Sequence, residues 1–194
     1  FEEGSPRGWS VLAVGSNGEL YGMKSGYEGE GTVYRIDGGT FTLLHTFGNG
    51  GNAPNQPLVV GGDGALYGST EYGGAQRGTL FEIDAAGVFR TLHWFTGYGP
   101  ARPRPLVLGS DGAVYGTTIS GGIGYTVFGE IGFRTAFRIE SDGGVTELPL
   151  SSRGGGAPSA LTLRPGGALW GTTEGAGDSD CRSPAGSRRR TAAA

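Results

Sequence analysis

The feature that most constrains this chain is that it repeats itself. The hexapeptide NGELYG (Asn17–Gly22) returns as DGALYG (Asp63–Gly68), DGAVYG (Asp111–Gly116) and GGALWG (Gly166–Gly171), its aromatic advancing by 46, 48 and 55 residues from Tyr21 to Tyr67, Tyr115 and Trp170. A second block reads TVYRID (Thr32–Asp37), TLFEID (Thr79–Asp84) and TAFRIE (Thr135–Glu140). A third reads TLLHTF (Thr42–Phe47), TLHWF (Thr91–Phe95) and, decayed, ELPLS (Glu147–Ser151). A fourth leads into the next unit: Pro57-Leu58-Val59, Pro105-Leu106-Val107 and Ala160-Leu161-Thr162. Four blocks in one fixed order mean one supersecondary unit copied along the chain and stacked on itself.

Each unit reads as four strands. Leu58–Val60 and Ala65–Gly68 flank Gly61-Gly62-Asp63-Gly64, where an Asp-Gly pair supplies the positive φ that a tight hairpin needs. Asn17-Gly18 and Asp111-Gly112 do the same in their units, and Ala85-Ala86-Gly87 closes a second hairpin between Thr79–Asp84 and Val88–Phe95. In TLFEID, Leu80 and Glu82 point one way and Phe81 and Ile83 the other, which predicts one apolar face. No stretch carries a 3.6-residue apolar rhythm, so almost no helix is expected. With 42 Gly and 10 Pro in 194 residues, an aperiodic chain would be disordered. Here the glycines recur in register, and 36% hydrophobic residues with 10% aromatics suffice for a core.

Four strands per unit of this length predict an all-β β-propeller of about three and a half blades, a partial ring. The units run at about 11–57, 58–105 and 106–160, with a half unit at 161–175. The last spacing is long because Ile123–Arg134 stands where the second unit has Ala75–Gly78, 12 residues against 4, and its aromatic and β-branched content predicts an extended hairpin. Residues 176–194 fall outside the repeat and read as a disordered or non-native tail. An open arc leaves unpaired blade edges, through which self-association is expected.

The combination of LYG, Ser/Thr-Thr, a Gly doublet, GT-aromatic-x-I-D, LH-x-F and Pro-Leu-Val resembles the GloVer tandem repeat, from Ser10 to about Gly175. That repeat occurs in exported bacterial proteins ending in a variety of surface anchors. The resemblance implies the cell envelope or the outside as location, a larger ring, and no defined activity.

The net charge of −3 is uneven: from Asp178 onward two acids face four arginines, which leaves −5 for the rest. A body so acidic, with no basic stripe, excludes nucleic acid as a partner. There is no apolar run long enough to span a membrane. The single cysteine, Cys181, builds neither a disulfide within the chain nor a Cys-based metal site.

Chemistry-bearing residues mostly follow the repeat. His45 and His93 occupy one slot of successive units, where the third unit has Pro149, and are read as packing residues. Asp63 and Asp111 are read as turn residues rather than calcium ligands. No catalytic set, metal site or cofactor is expected. The candidates for ligand contact are Glu71, Tyr72, Thr118, Glu174, Tyr98 and Arg102, all near the ends of strands or in the links between them. Glu71 and Glu174 share a repeat position, with Lys24 and Ile119 as their counterparts elsewhere. Trp94 and Tyr125 are further aromatics able to stack on a sugar, and Arg104 a further cation. The expected function is a non-enzymatic interaction or scaffold module holding a glycan or protein on its loop face. The alternatives are a propeller-type lyase or glycoside hydrolase, and a truncated repeat without activity of its own.

Overall fold

In a computed structural model, the residues described are 12–25, 31–48, 54, 56–71, 78–95, 103–118, 136–140, 142–148, 157–163 and 169–174. Among them there are strands and turns and no helix. The first blade consists of β1 (Leu12–Val14), β2 (Leu20–Ser25), β3 (Gly31–Asp37) and β4 (Thr40–Phe47). The second consists of β5 (Val59–Val60), β6 (Leu66–Thr70), β7 (Thr79–Ile83) and β8 (Phe89–Trp94). The third consists of β9 (Val107–Leu108), β10 (Val114–Thr117), β11 (Ala136–Ile139) and β12 (Val145–Leu148). In each, the strands pair antiparallel in chain order, and β13 (Ala157–Leu163) with β14 (Leu169–Glu174) forms a two-stranded start of a fourth. β1 lies against β5, β5 against β9, and β9 and β10 against β13. The first strands of successive units thus line up side by side, as the inner strands of propeller blades do.

The hairpin turns come from the Gly of each turn block. Gly61 N–H donates to the Ala65 carbonyl (2.8 Å) and Gly64 N–H to the Gly61 carbonyl (3.0 Å), with φ +82° at Gly64. This is a three-residue loop whose last residue is left-handed. The same bonds recur at Gly15–Glu19, Asp84–Val88, Gly109–Ala113 and Glu140–Gly144. The Asp contributes its side chain: Asp63 Oδ1 accepts from Ala65 N–H (3.0 Å) and Asp111 Oδ1 from Ala113 N–H (3.2 Å). Only the first blade's outer hairpin is shorter among those described, a two-residue turn with φ +53° at Gly38 and +83° at Gly39.

The Gly of the LYG block has a different task. A Cβ on Gly68 would stand 2.3 Å from Phe81 Cζ, and one on Gly116 equally close to Phe137 Cζ. Gly22 holds the same relation to Tyr34. The glycine therefore makes room for the aromatic of the second block, its direct cross-strand partner in each of the three four-stranded blades. That contact links two sequence blocks which otherwise look independent.

Packing between blades differs from the sequence expectation of one apolar face. Phe81 and Ile83 pack with Leu58 and Leu66 against Met23, Val33 and Phe47 of blade 1. Leu80, Ala65, Tyr67 and Phe95 pack on the opposite side against Leu106, Val114, Phe137 and Ile139 of blade 3. Both faces of blade 2 are covered, because a blade stands between two neighbours. Phe81 and Leu80, adjacent in sequence and each 0% exposed, serve different cores. Even Glu82 is buried on the Leu80 side, where Arg90 Nε donates to it at 2.5 Å. Each large apolar side chain so buried contributes about 1.5–3 kcal/mol.

Candidate functional site

Successive strands reverse direction, so the connections sort onto two rims. The first-to-second and third-to-fourth turns of each blade leave one rim, and all those described there are tight hairpins. The second-to-third connections and the links to the next blade leave the other rim. There, β10 and β11 are joined through residues 118–135, against three-residue loops opposite. This long-connection rim is marked by the ends of β2, β6, β10 and β14 and the starts of β3, β7 and β11.

Three of the six candidate contact residues are described, and all three stand at that rim. Glu71 follows β6 and is half-buried; Glu174 ends β14; Thr118 follows β10. Thr118 is fully buried and its backbone bridges to Pro103, so its side chain has no surface to offer a ligand. Pairing corrects one correspondence: Lys24 sits opposite Thr32 as Thr70 sits opposite Thr79, so the first unit's counterpart of Glu71 is Ser25, not Lys24. Tyr72, Tyr98 and Arg102 lie outside the described residues, as do Tyr125 and the insertion Ile123–Arg134.

Both histidines are packed on aromatic rings. His45 stacks on Phe89 of the next blade, ring centroids 3.6 Å apart and 4° from parallel, and meets Phe47 edge-on at 4.8 Å. His93 meets Phe95 at 5.3 Å, and its Nε2 is buried without a hydrogen-bond partner. Burial lowers the pKa of both below the ordinary imidazole value. Each follows a bulged leucine, Leu44 or Leu92, that shifts the pairing register. The third blade lacks the bulge, so Leu148, rather than Pro149, pairs at the position equivalent to the histidine.

The acidic turn residues are likewise occupied. Tyr115 Oη donates to Asp111 Oδ2 (2.8 Å), and Arg138 donates to Asp111 Oδ2 (3.1 Å), to Tyr115 Oη (3.0 Å) and to Glu140. The Tyr115 hydroxyl, and after it the Arg138 guanidinium, hold the Asp111 carboxyl below its ordinary value. In blade 2 burial, then the nearby Glu82 and Asp63 charges, push the Tyr67 phenol up to about 12. Among the described residues no three His, Cys, Asp or Glu side chains group as a metal site.

A cleft of about 220 Å³ opens between the outer strands of blades 1 and 2, from the last residues of β4 and along β8 from Phe89 to Trp94 at its long-connection end. His45, Phe47 and Phe89 form its aromatic wall, Thr46, Thr79 and Thr91 add hydroxyls, and Trp94 stands at the side, 55% exposed. Sequence reading named Trp94 but not the cleft, whose walls come from two repeats. The available signal was the break in the repeat: Trp94 stands where the first unit has Thr46.

The sequence profile of the Gloeobacter/Verrucomicrobia repeat matches residues 3–128. The chain belongs to this repeat family. Comparison of this Gloeobacter/Verrucomicrobia repeat chain with curated protein sequences gives no match. Among solved structures it is similar to a catalytically inactive variant of virginiamycin B lyase from Staphylococcus aureus with quinupristin, at 23% identity and TM-score 0.59, over 86% of this chain and 48% of that one. It is also similar to a gluconolactonase from Xanthomonas campestris, at 20% identity and TM-score 0.55, over 84% of this chain and 55% of that one. A luciferin-regenerating enzyme matches at 14% identity and TM-score 0.51, over 90% and 56%. At such identities the likeness is one of fold, and the repeat chain spans about half the length of these structures.

Proposed function

We propose that this protein is a non-enzymatic binding module of the cell envelope or extracellular space, which holds a glycan at its long-connection rim. The observation that carries this reading is the cleft beside Trp94 at that rim. At about 220 Å³ it is smaller than the roughly 300–1,000 Å³ of a site that engulfs a small molecule. It suits a protruding ring of a larger ligand, stacked on an exposed indole and hydrogen-bonded by threonine hydroxyls. Two further features agree. The opposite rim is spent on tight turns, while longer connections, the usual carriers of recognition, leave this one. The histidines and turn aspartates, the residues best able to do acid–base work, are engaged by rings, turns and arginines.

The test is titration of purified protein with envelope polysaccharides, with product formation followed in the same samples. Binding without turnover, weakened about tenfold or more by Trp94→Ala at unchanged thermal stability, is the expected result. Turnover of a bound saccharide, or affinity indifferent to Trp94, contradicts it. The resemblance to exported repeat proteins supports a location outside the cytoplasm, and immunodetection in envelope and culture-fluid fractions of the host checks it.

A further inference from the structure

No residue lining the cleft between blades 1 and 2 carries a carboxylate, an ammonium or a guanidinium, and His45 is its one titratable group. The strand registers show where the neighbouring charges go, because cross-strand partners share a face. On β8 the cleft takes Phe89, Thr91 and Trp94, which share a face with their partners Ile83, Phe81 and Thr79. Arg90 and His93 pair instead with Glu82 and Leu80 on the other face, toward blade 3, and Arg90 is bonded to Glu82 there. In blade 1, Lys24 and its partner Thr32 alternate with Met23 and Val33, and so point away from blade 2. The charged residues of β3 on the face of His45 are Arg35 and Asp37. They stand two and four positions from its partner Val33, toward the tight-turn rim.

An uncharged sugar ring asks for a flat apolar surface under its C–H face and neutral hydrogen-bonding groups at its hydroxyls. A uronate, sialate or phosphorylated sugar asks in addition for a cation, without which its charge is desolvated and left unpaired. The cleft offers the first set: the exposed indole of Trp94, the ring pair of His45 and Phe89, and the hydroxyl of Thr91. It offers no cation to the second, and the acidic body around it opposes the approach of a polyanion. On the reading of this cleft as a glycan site, we propose that it takes an uncharged saccharide ring of a larger polymer and discriminates against acidic sugars. His45 gives the choice a pH signature. It lies 3.6 Å from Phe89, centroid to centroid, and burial alone depresses its pKa. A ring seated in the cleft covers the imidazole further and so favours its neutral form, which makes affinity for an uncharged ring fall on acidification. An acidic ring would behave oppositely, gaining a partner as His45 charges.

The test is titration of the protein with neutral glucan, mannan and galactan oligosaccharides and with their C6-oxidised uronate counterparts, which differ only in the charge on the ring. A neutral member should bind at least about tenfold more tightly than its uronate partner. Its affinity should change by less than about twofold between about 0.05 and 0.5 M salt, since no charge pair is there to screen. It should fall by about threefold or more from about pH 7.5 to about pH 5.5, across the ordinary imidazole value of about 6.5, and His45→Asn should remove that fall. Tighter binding of a uronate, affinity that drops with added salt, or affinity that fails to fall on acidification overturns the uncharged-ring assignment. Any of these leaves glycan binding at the rim standing, provided that Trp94→Ala still weakens it. Binding of no member of either series, or binding indifferent to Trp94, overturns the rim reading and this assignment together.

Discussion

Leu58, Leu66, Phe81 and Ile83 of blade 2 are 4, 2, 0 and 1% exposed, whereas in blade 1, at the same register, Leu12 is 48% exposed and Leu20, Tyr34 and Ile36 are only half-buried. The residue types are nearly the same, and so is the hydrogen-bonded frame that presents them. What differs is the neighbour. A blade is a sheet with two apolar faces, and the second stays wet until another blade arrives. Burial in this fold is therefore a property of position in the stack as much as of sequence, which is how stability accumulates in repeat proteins generally.

The largest expected contrast comes from removing one aromatic from the covered face of blade 2 and one from the matching, exposed face of blade 1. Phe81→Ala empties a fully buried site and should cost about 3–5 kcal/mol by chemical denaturation. Phe41→Ala, on the uncovered face, should change stability by no more than about 0.5 kcal/mol. Comparable losses at both positions would mean that blade 1 is covered after all.

A smaller effect separates the two uses of glycine. Gly68→Ala drives a methyl to 2.3 Å from the Phe81 ring and should cost about 1–3 kcal/mol, with the blade 1–2 packing disturbed. Gly18→Ala meets nothing within 4 Å but is held at φ +90°, so it should cost about 1 kcal/mol through backbone strain alone. Their pairing with second-site changes distinguishes them: Phe81→Leu should relieve the first loss and leave the second untouched.

The gentlest test uses pH. Burial depresses the pKa of His45 and His93 in the folded state, so on acidification the unfolded chain takes up these protons first. Stability from neutral imidazole is then fully present above the ordinary value of about 6.5 and declines as pH falls below it toward the folded-state values. The denaturation midpoint should fall over that window, and His93→Leu should flatten part of the fall. A midpoint that rises on acidification through the window would contradict the packing assigned to both rings.

The repeat blocks made the strands, the tight turns and the blade architecture readable, because those features are local and each is written several times. Alternation within Leu80–Ile83 was readable as well, but not the burial of both faces, since a strand does not reveal how many neighbours its sheet will have. Glu82 suggested a solvent side; Arg90, eight residues on, neutralises it there instead. The bulges at Leu44 and Leu92 were hidden, because one extra residue in a strand leaves the same letters in the same order. The cleft was hidden for a further reason: His45 and Phe89 meet only when two blades stack, and only the substitution of Trp94 into a threonine slot hinted at it.

All of this rests on blades packing face to face in the register of the repeat, and a double-mutant cycle between Phe47 of blade 1 and Phe81 of blade 2 tests it most directly. Their ring centroids lie 5.2 Å apart at 66°, across the boundary between the blades. Phe47→Leu, Phe81→Leu and the double variant should show a coupling of about 0.5–1.5 kcal/mol in denaturation free energy. Additivity, within about 0.3–0.5 kcal/mol and well below that coupling, would mean that the two rings do not meet and that the blades do not stack in this register.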